Sequence, residues 1–212
     1  MKYIIMCGGP AWDVPRQLLE IHGEAVVART IRLLREASAE DIAISSNDKR
    51  FEAFGVPVIR HDNPHDIIDG KVVGCWVDAF PPGDDPACYI MGDVVFSPEA
   101  IRTIVMTETT NIQFFASRPP FHPLYVKRYA EPFAFKVVDH KRFWKAVNFC
   151  RKHAGTDTFS RLPIAWELWQ VINGEDPKMI NYNNYVVIND YTCDIDKKAD
   201  VNIMSGVLDW VT

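Results

Sequence analysis

Two stretches of the chain combine residue types suited to phosphate and metal chemistry. Each follows a short, wholly apolar run, a pattern that predicts a strand buried on both faces. The first stretch, Cys7–Arg16, contains Gly8 and Gly9 directly after Cys7, and the second is the pair Gly92-Asp93. Ligands of open α/β sheets lie outside the carboxyl ends of the strands. These two stretches are therefore the candidate site.

The glycine pair favours the close approach of a phosphate. Without a Cβ atom in the way, the backbone amides of Gly8 and Gly9 can come near phosphate oxygens. A tight strand-to-loop turn with no ligand accounts for the pair as well. The loop lacks the Gly-Lys-Ser/Thr ending of a P-loop and the spacing of a dinucleotide fingerprint, so both of those sites are excluded.

Asp93 places a carboxylate directly after a buried strand, and Gly92 permits close approach beside it. Mg²⁺ prefers hard oxygen ligands, and it commonly takes one or two carboxylates together with substrate phosphates. The alternative is that Asp93 caps the next helix. Ser97 suits that position better, because Pro98 and Glu99 follow it in the order typical of a first helical turn. We therefore expect a functional carboxylate at Asp93.

Apolar runs and helical periodicity alternate along the chain. The predicted strands lie at 3–7, 41–45, 56–59, 88–91, 112–116, 133–138 and 185–189. The predicted helices lie at 24–36, 72–80, from 98 onwards, 140–153 and 162–172. The order of strand, loop, helix and strand favours right-handed βαβ units. We predict a three-layer α/β/α fold on a mostly parallel, Rossmann-like sheet, with residues 1–212 forming one domain.

Composition excludes several classes of protein. The chain has 212 residues with a net charge of −5, and 48% of them are hydrophobic. No run of Lys or Arg marks a nucleic-acid surface, and no apolar stretch approaches the roughly 20 residues that cross a bilayer. Five cysteines without a Cys-x-x-Cys pair argue against a disulfide framework and a zinc ribbon. We expect a cytoplasmic protein that binds neither nucleic acid nor membranes.

The residues after the glycine pair carry a family resemblance. Pro15-Arg16-Gln17-Leu18 is followed by a short strand, a turn at His22-Gly23, and a helix. This layout resembles the nucleotidyltransferase family with a glycosyltransferase-A-like fold, which includes sugar-1-phosphate and molybdenum-cofactor nucleotidylyltransferases. Two departures stand out. The family's Gly-x-Gly-x-Arg loop is shorter here and lacks its arginine, and the family's signature lysine is Arg16. The resemblance covers residues 2 to about 110 and returns at 185–201.

The resemblance implies roles for residues of this chain. The loop that starts at Cys7, Gly8 and Gly9 would bind a nucleoside triphosphate, with Gly92 close by. Arg16 would bind the triphosphate as a catalytic residue, since its planar guanidinium can donate hydrogen bonds to two phosphate oxygens at once. Asp93, also catalytic, would hold Mg²⁺.

The segment Thr192–Asp196 resembles an Asp-Ile-Asp element near the end of family members. Asp196 would then be the second metal ligand, and Asp194 would orient it or contact the acceptor. The alternative is a turn in which Asp196 caps the last helix.

Weaker assignments rest on the same resemblance. Trp12 stacks on the base or ribose, or it only closes the loop over the core. Gly74 matches a glycine that faces the base. Lys136 lies on a predicted strand where the family often binds the acceptor phosphate, although an ordinary strand-edge lysine explains it too. Residues 117–184 would form the acceptor side.

The activity implied by the resemblance is Mg²⁺-dependent nucleotidyl transfer. A small phosphorylated acceptor, foremost a sugar-1-phosphate, attacks the α-phosphorus of a nucleoside triphosphate and pyrophosphate leaves, as in sugar nucleotide biosynthesis. One alternative is a glycosyltransferase that binds a sugar nucleotide through Asp194 and Asp196. Another is a catalytically inactive, nucleotide-binding regulatory protein. The sequence leaves the base, the acceptor and the oligomeric state open.

Overall fold

A computed structural model describes residues 1–8, 14–60, 66–68, 71–73, 76–119 and 130–211. The strands among these residues are β1 (Lys2–Met6), β2 (Glu20–Ile21), β3 (Glu24–Ala25), β4 (Ile42–Ser45), β5 (Val58–Ile59), β6 (Asp66–Ile68), β7 (Lys71–Val73), β8 (Ala87–Met91), β9 (Val94–Val95), β10 (Ile112–Ala116), β11 (Pro132–Val137), β12 (Val186–Val187) and β13 (Cys193–Asp194).

Five α-helices and three 3-10 helices accompany these strands within the described ranges. The α-helices are α1 (Val26–Glu36), α2 (Pro98–Met106), α3 (His140–His153), α4 (Ala165–Asn173) and α5 (Lys198–Val211). The 3-10 helices are Arg16–Leu18, Lys49–Phe54 and Trp76–Ala79. No helix in these parts of the chain is long and apolar enough to cross a membrane.

The central sheet has seven strands in the order β12-β10-β11-β8-β1-β4-β5. β1 pairs in parallel with β4 on one side and β8 on the other, and β4 pairs in parallel with β5. β11 is antiparallel to both β8 and β10, while β12 is parallel to β10. The predicted mostly parallel α/β sheet is confirmed.

Neighbouring residues of β11 show how the helices cover the two faces of the sheet. The Phe135 ring lies 6.1 Å from Phe143 of α3 and 6.5 Å from Trp169 of α4. Lys136 points to the opposite face, because successive strand residues alternate, and its Nζ donates to the carbonyl of Val105 in α2 at 3.0 Å. α1 packs against α2 on that second face. Helices on both faces make the predicted three layers.

Local chemistry explains where several elements begin. Ser97 caps α2 as predicted, since its Oγ accepts the N–H of Ala100 at 2.9 Å. Asp139 caps α3 in the same way by accepting the N–H of Arg142 at 2.9 Å. α3 spans 140–153, as the sequence predicts. α1 begins two residues later than predicted because Glu24 and Ala25 belong to β3, whose hairpin with β2 turns through His22 and Gly23.

One predicted element is wrong, and several others are longer in the prediction than in the structure. The proposed helix over 72–80 is instead β7, which pairs with β6, followed by the 3-10 helix Trp76–Ala79. Two adjacent β-branched residues, Val72 and Val73, favour the strand locally. α4 begins at Ala165 rather than 162, and β12 covers only two residues of the predicted strand at 185–189.

Candidate active site

The carboxyl ends of β1 and β8 meet in the middle of the sheet. Their last residues, Met6 and Met91, are parallel partners, and the N–H of Gly92 donates to the carbonyl of Met6 at 3.1 Å. A Cβ atom on Gly92 would lie 2.5 Å from that carbonyl oxygen and 2.8 Å from the Sγ of Cys7. Only glycine fits here, so Gly92 lets the two strand ends approach closely and sets the position of Asp93 beside them.

A short 3-10 helix places Arg16 over these strand ends. The helix Arg16–Leu18 is closed by the N–H of Leu18 donating to the carbonyl of Pro15 at 2.9 Å. Gln17 is buried, and it lies next to Gly92. The buried Gln17 anchors the turn, and the neighbouring Arg16 projects into the site with 27% of its side chain exposed.

The Arg16 guanidinium lies between two carboxylates from distant parts of the chain. Its Nη1 is 3.4 Å from the Oδ2 of Asp93 and 3.8 Å from the Oδ1 of Asp196. All three side chains are partly exposed, at 27%, 30% and 33% respectively. The structure therefore brings together the three residues to which the sequence assigned phosphate and metal binding.

A two-stranded ladder brings the C-terminal acidic segment to Asp93. β13 pairs antiparallel with β9, so that Asp194 lies opposite Val94. The N–H of Ile195 then donates to the carbonyl of Asp93 at 2.8 Å. Since β9 starts immediately after Asp93, this pairing fixes Asp194 and Asp196 close to it.

Two buried carboxylates that sequence reasoning missed hold the same segment. Glu131 accepts the N–H of Asp194 at 3.1 Å. Asp200 accepts the N–H groups of Asp196 and Lys197 at 2.9 and 2.8 Å. Asp196 had an alternative role as the cap of the last helix. Asp200, in the first turn of α5, instead accepts the backbone N–H groups that precede this helix. An acidic side chain in the first turn of a helix was the available signal for Asp200, the third residue of α5, whereas Glu131 left no comparable pattern.

The electrostatics of the site are dominated by its carboxylates. Burial, reinforced by the nearby carboxylate of Asp194, raises the pKa of Asp93 to about 6 against the opposing effect of Arg16. Burial also raises the pKa of the Cys7 thiol, with a further contribution from Asp93. Among the described residues, Asp93, Asp194 and Asp196 outnumber the Arg16 guanidinium, so these ionised carboxylates favour a cation.

The donor set fits a hard divalent cation. Carboxylate oxygens are ligands that Mg²⁺ prefers, and the metal commonly completes its shell with water and substrate phosphates. Asp93 and Asp196 are the residues that could hold it, since both already lie against one cationic nitrogen. The cluster of Glu131, Cys193 and Asp194, whose ligand atoms lie within 4.8 Å of one another, is less suited because Glu131 is engaged with backbone.

The other predicted site residues are placed as follows. Gly8 lies at the carboxyl end of β1, half-buried. Cys7 is buried, and its N–H already donates to the carbonyl of Ser45 at 2.9 Å, so the strand ladder uses the group that a phosphate would need. Gly9, Trp12 and Gly74 lie outside the described residues.

Lys136 does not lie with the site. It is paired with Cys88 near the amino end of β8, whereas Asp93 follows the carboxyl end. Its Nζ donates to the carbonyls of Val105 and Thr107 at 3.0 and 2.7 Å. Because the side chain is 4% exposed and both bonds lead to the end of α2, Lys136 stabilises the packing of that helix and is withdrawn as an acceptor ligand.

The comparison with protein families decides the family of the chain. Residues 4–155 match the model of the MobA-like NTP transferase domain, which is more than half of the sequence. The chain belongs to this family. The matched region contains Arg16 and Asp93, whereas Asp196 lies beyond it. The predicted resemblance to nucleotidyltransferases is thereby confirmed, and the chain carries a nucleotidyltransferase-type domain.

A solved structure has a similar fold. It is a Bacillus anthracis protein, named as a putative glucose-1-phosphate thymidylyltransferase, in complex with a sucrose. The two chains are 13% identical with a TM-score of 0.59, and the match covers 97% of this chain and 94% of the other. At this identity the likeness establishes the fold alone. No curated protein matches the sequence.

Proposed function

We propose that this protein transfers a nucleoside monophosphate from a nucleoside triphosphate to a small phosphorylated acceptor and releases pyrophosphate. The observation that carries the proposal is the meeting of Asp93 and Asp196 at the Arg16 guanidinium, at the carboxyl end of the central strands. Membership of the MobA-like NTP transferase family supports the reaction class.

Each residue has a part in this reaction that follows from its chemistry. Gly8 leaves room for the triphosphate at the end of β1. Arg16 donates to phosphate oxygens and offsets their charge, and its position above the strand ends aligns the substrate for in-line attack. Asp93 and Asp196 would hold Mg²⁺, which supplies charge neutralisation on the reacting phosphates when bound. No general base is needed, since a phosphate acceptor is already ionised near neutral pH.

The acceptor we favour is a sugar-1-phosphate. The family resemblance supports this choice, as does the name of the structural neighbour. We place the acceptor side within residues 117–184 of a single domain. Within the described part of this segment, Glu131 accepts the N–H of Asp194, and Ser117 in turn holds the backbone of Glu131. The cysteine content supports a reducing, cytoplasmic setting.

Pyrophosphate release tests the proposal. The protein is incubated with ATP, CTP, GTP, UTP or dTTP, each with a panel of sugar-1-phosphates, with and without Mg²⁺. We expect pyrophosphate with at least one pair, only when Mg²⁺ is present, and much less with Arg16→Ala. Turnover by Arg16→Ala equal to that of the wild type would remove Arg16 from the reaction.

A glycosyltransferase is the second candidate, and one observation favours it. Asp194 and Asp196 form an Asp-x-Asp pair that the β9–β13 ladder brings to the carboxyl end of the sheet, although the pair lies near the end of the sequence. Such an enzyme would bind a sugar nucleotide and form no pyrophosphate from a nucleoside triphosphate. A thermal shift with sugar nucleotides alone would favour it, and a shift with nucleotides but no turnover would favour a regulatory protein.

A further inference from the structure

Two buried carboxylates near the site have no part in the proposed reaction. Glu131 is 0% exposed and Asp200 is 2% exposed, yet both belong to residue types that are seldom fully buried. Burying a carboxylate costs free energy unless its oxygens accept hydrogen bonds. The groups that supply those bonds therefore indicate what the two side chains hold in place.

Glu131 connects the central sheet to the acidic segment 193–197. Its Oε2 accepts the N–H of Asp194 at 3.1 Å, and its Oε1 lies 3.8 Å from the Sγ of Cys193. The backbone of Glu131 is itself fixed at both groups: its N–H donates to the Oγ of Ser117 at 2.8 Å, and its carbonyl accepts the N–H of Ser117 at 2.9 Å. Ser117 directly follows β10, so the Glu131 carboxylate is anchored to the sheet.

Asp200 holds the other end of the same segment. Its Oδ2 accepts the N–H groups of Asp196 at 2.9 Å and Lys197 at 2.8 Å. Between the two carboxylates, the N–H of Ile195 donates to the carbonyl of Asp93 at 2.8 Å. Four consecutive backbone N–H groups, those of residues 194–197, are thus bonded to acceptors from three separate parts of the chain.

We propose that Glu131 and Asp200 are positioning residues that fix this backbone so that the Asp196 carboxylate faces Asp93 and Arg16. The proposal rests on the proposed function, in which Asp93 and Asp196 hold Mg²⁺ with the nucleotide. Mg²⁺ demands near-ideal geometry at about 2.0–2.1 Å, so a small displacement of one ligand weakens binding. Groups that orient a metal ligand typically contribute about 10–100-fold to metal affinity or activity.

The test compares removal of each carboxylate with its conservative replacement. Glu131→Gln and Asp200→Asn keep an oxygen that can accept the backbone N–H groups, whereas Glu131→Leu and Asp200→Ala do not. Glu167→Gln is the matched control, since Glu167 is 1% exposed and accepts the N–H of Ile164 at the start of α4. Folding of each variant is checked by circular dichroism and thermal unfolding.

The readout is Mn²⁺ binding, followed by the Mn²⁺ electron paramagnetic resonance signal. It is measured with whichever of ATP, CTP, GTP, UTP and dTTP gives the wild type its largest Mg²⁺-dependent thermal shift. We expect Glu131→Leu and Asp200→Ala to weaken Mn²⁺ binding by about 10–100-fold. Glu131→Gln and Asp200→Asn should lose less Mn²⁺ affinity. Glu167→Gln should bind Mn²⁺ as tightly as the wild type does, even if its free energy of unfolding is lower.

Wild-type Mn²⁺ affinity in folded Glu131→Leu and Asp200→Ala would overturn the positioning roles while leaving the proposed function intact. An equal loss of Mn²⁺ affinity in Glu167→Gln would overturn them too, since it would show that any loss of folding stability weakens Mn²⁺ binding. If Glu131→Leu does not fold, Asp200→Ala decides, because it removes only the two hydrogen bonds that Asp200 accepts at the start of α5. A wild-type protein that binds Mn²⁺ with none of the nucleotides would contradict the proposed function and this proposal with it.

Discussion

Replacing Asp93 with asparagine should make the metal-free protein more stable near neutral pH while abolishing its activity. Asp93 is 30% exposed and lies among other carboxylates, and its pKa is raised from 3.8 to about 6. A raised pKa means that the folded state binds the proton more tightly than the unfolded state does. The protonated carboxyl therefore favours folding fully below pH 3.8, and this contribution is lost as the pH rises through about 6.

The size of the effect follows from the shift in pKa. About two pKa units at about 1.4 kcal/mol each give about 3 kcal/mol when Asp93 is fully ionised. Partial exposure of the side chain screens its interactions, so we expect about 1–3 kcal/mol at pH 8. For a chain of this size that corresponds to an increase of about 2–10 °C in the melting temperature of Asp93→Asn. Near pH 4 the difference from the wild type should shrink towards zero.

The assay is urea unfolding of the wild type and Asp93→Asn at several pH values between 4 and 8, in buffer containing a chelator. Asp84→Asn, at an exposed loop residue, makes the same chemical change where it should alter the free energy of unfolding little. Asp93→Asn should also fail to release pyrophosphate. A variant that is less stable than the wild type at pH 8, or a difference that does not change with pH, would refute the reasoning.

Three further substitutions separate the parts of the site. Arg16→Ala should bind free Mn²⁺ more tightly than the wild type, because the guanidinium that competes for Asp93 and Asp196 is gone, while turnover falls by about 10²–10³. Gly92→Ala should lower the free energy of unfolding by about 1–3 kcal/mol or more, measured by urea unfolding, because its Cβ would lie 2.5 Å from a backbone oxygen. Lys136→Met should lower stability by about 1–3 kcal/mol through the loss of two hydrogen bonds, with unchanged kcat and KM.

The first two substitutions have a control variant, and each of the three has a result that would contradict it. Arg16→Lys keeps the charge and should retain more activity than Arg16→Ala. Weaker Mn²⁺ binding by Arg16→Ala than by the wild type would contradict competition between the guanidinium and the metal for Asp93 and Asp196. Gly83→Ala changes a glycine with nothing within 4 Å of the added Cβ, and equal losses at both glycines would remove the steric explanation. A lower kcat in Lys136→Met would show that this lysine acts on the reaction after all.

The sequence predicted best those elements whose cause is local. The apolar runs at the cores of β1, β8 and β10 are buried strands, and Ser97 caps its helix as its neighbours indicated. These features depend on residues a few positions apart, so one sequence carries enough information to find them. The helix expected at 72–80 is wrong because a short apolar stretch fits the helical and the strand period equally well. Pairing with β6, which is not visible locally, makes Lys71–Val73 a strand.

The site was harder to predict because distant segments form it. Asp93 was found from its position after a buried strand, and Arg16 and Asp196 were found through a family resemblance. No spacing in the sequence indicates that the three residues meet. β9 and β13 are two residues each, too short to show any periodicity, although their pairing brings Asp196 to Asp93. Glu131 gave no signal, since a glutamate before a proline is common in exposed turns. Lys136 was assigned to the site because the sequence does not show how β11 pairs with β8. The pairing places Lys136 near the amino end of β8, away from Asp93.

The central claim is that Asp93 and Asp196 act together, with Mg²⁺, in pyrophosphate release from a nucleoside triphosphate. The most direct measurement is pyrophosphate formed by the wild type, Asp93→Asn and Asp196→Asn, with nucleoside triphosphate, sugar-1-phosphate and Mg²⁺ supplied together and with each omitted in turn. We predict pyrophosphate only from the wild type and only when all three are present. Equal release by either variant, or release that persists without Mg²⁺, would contradict the account.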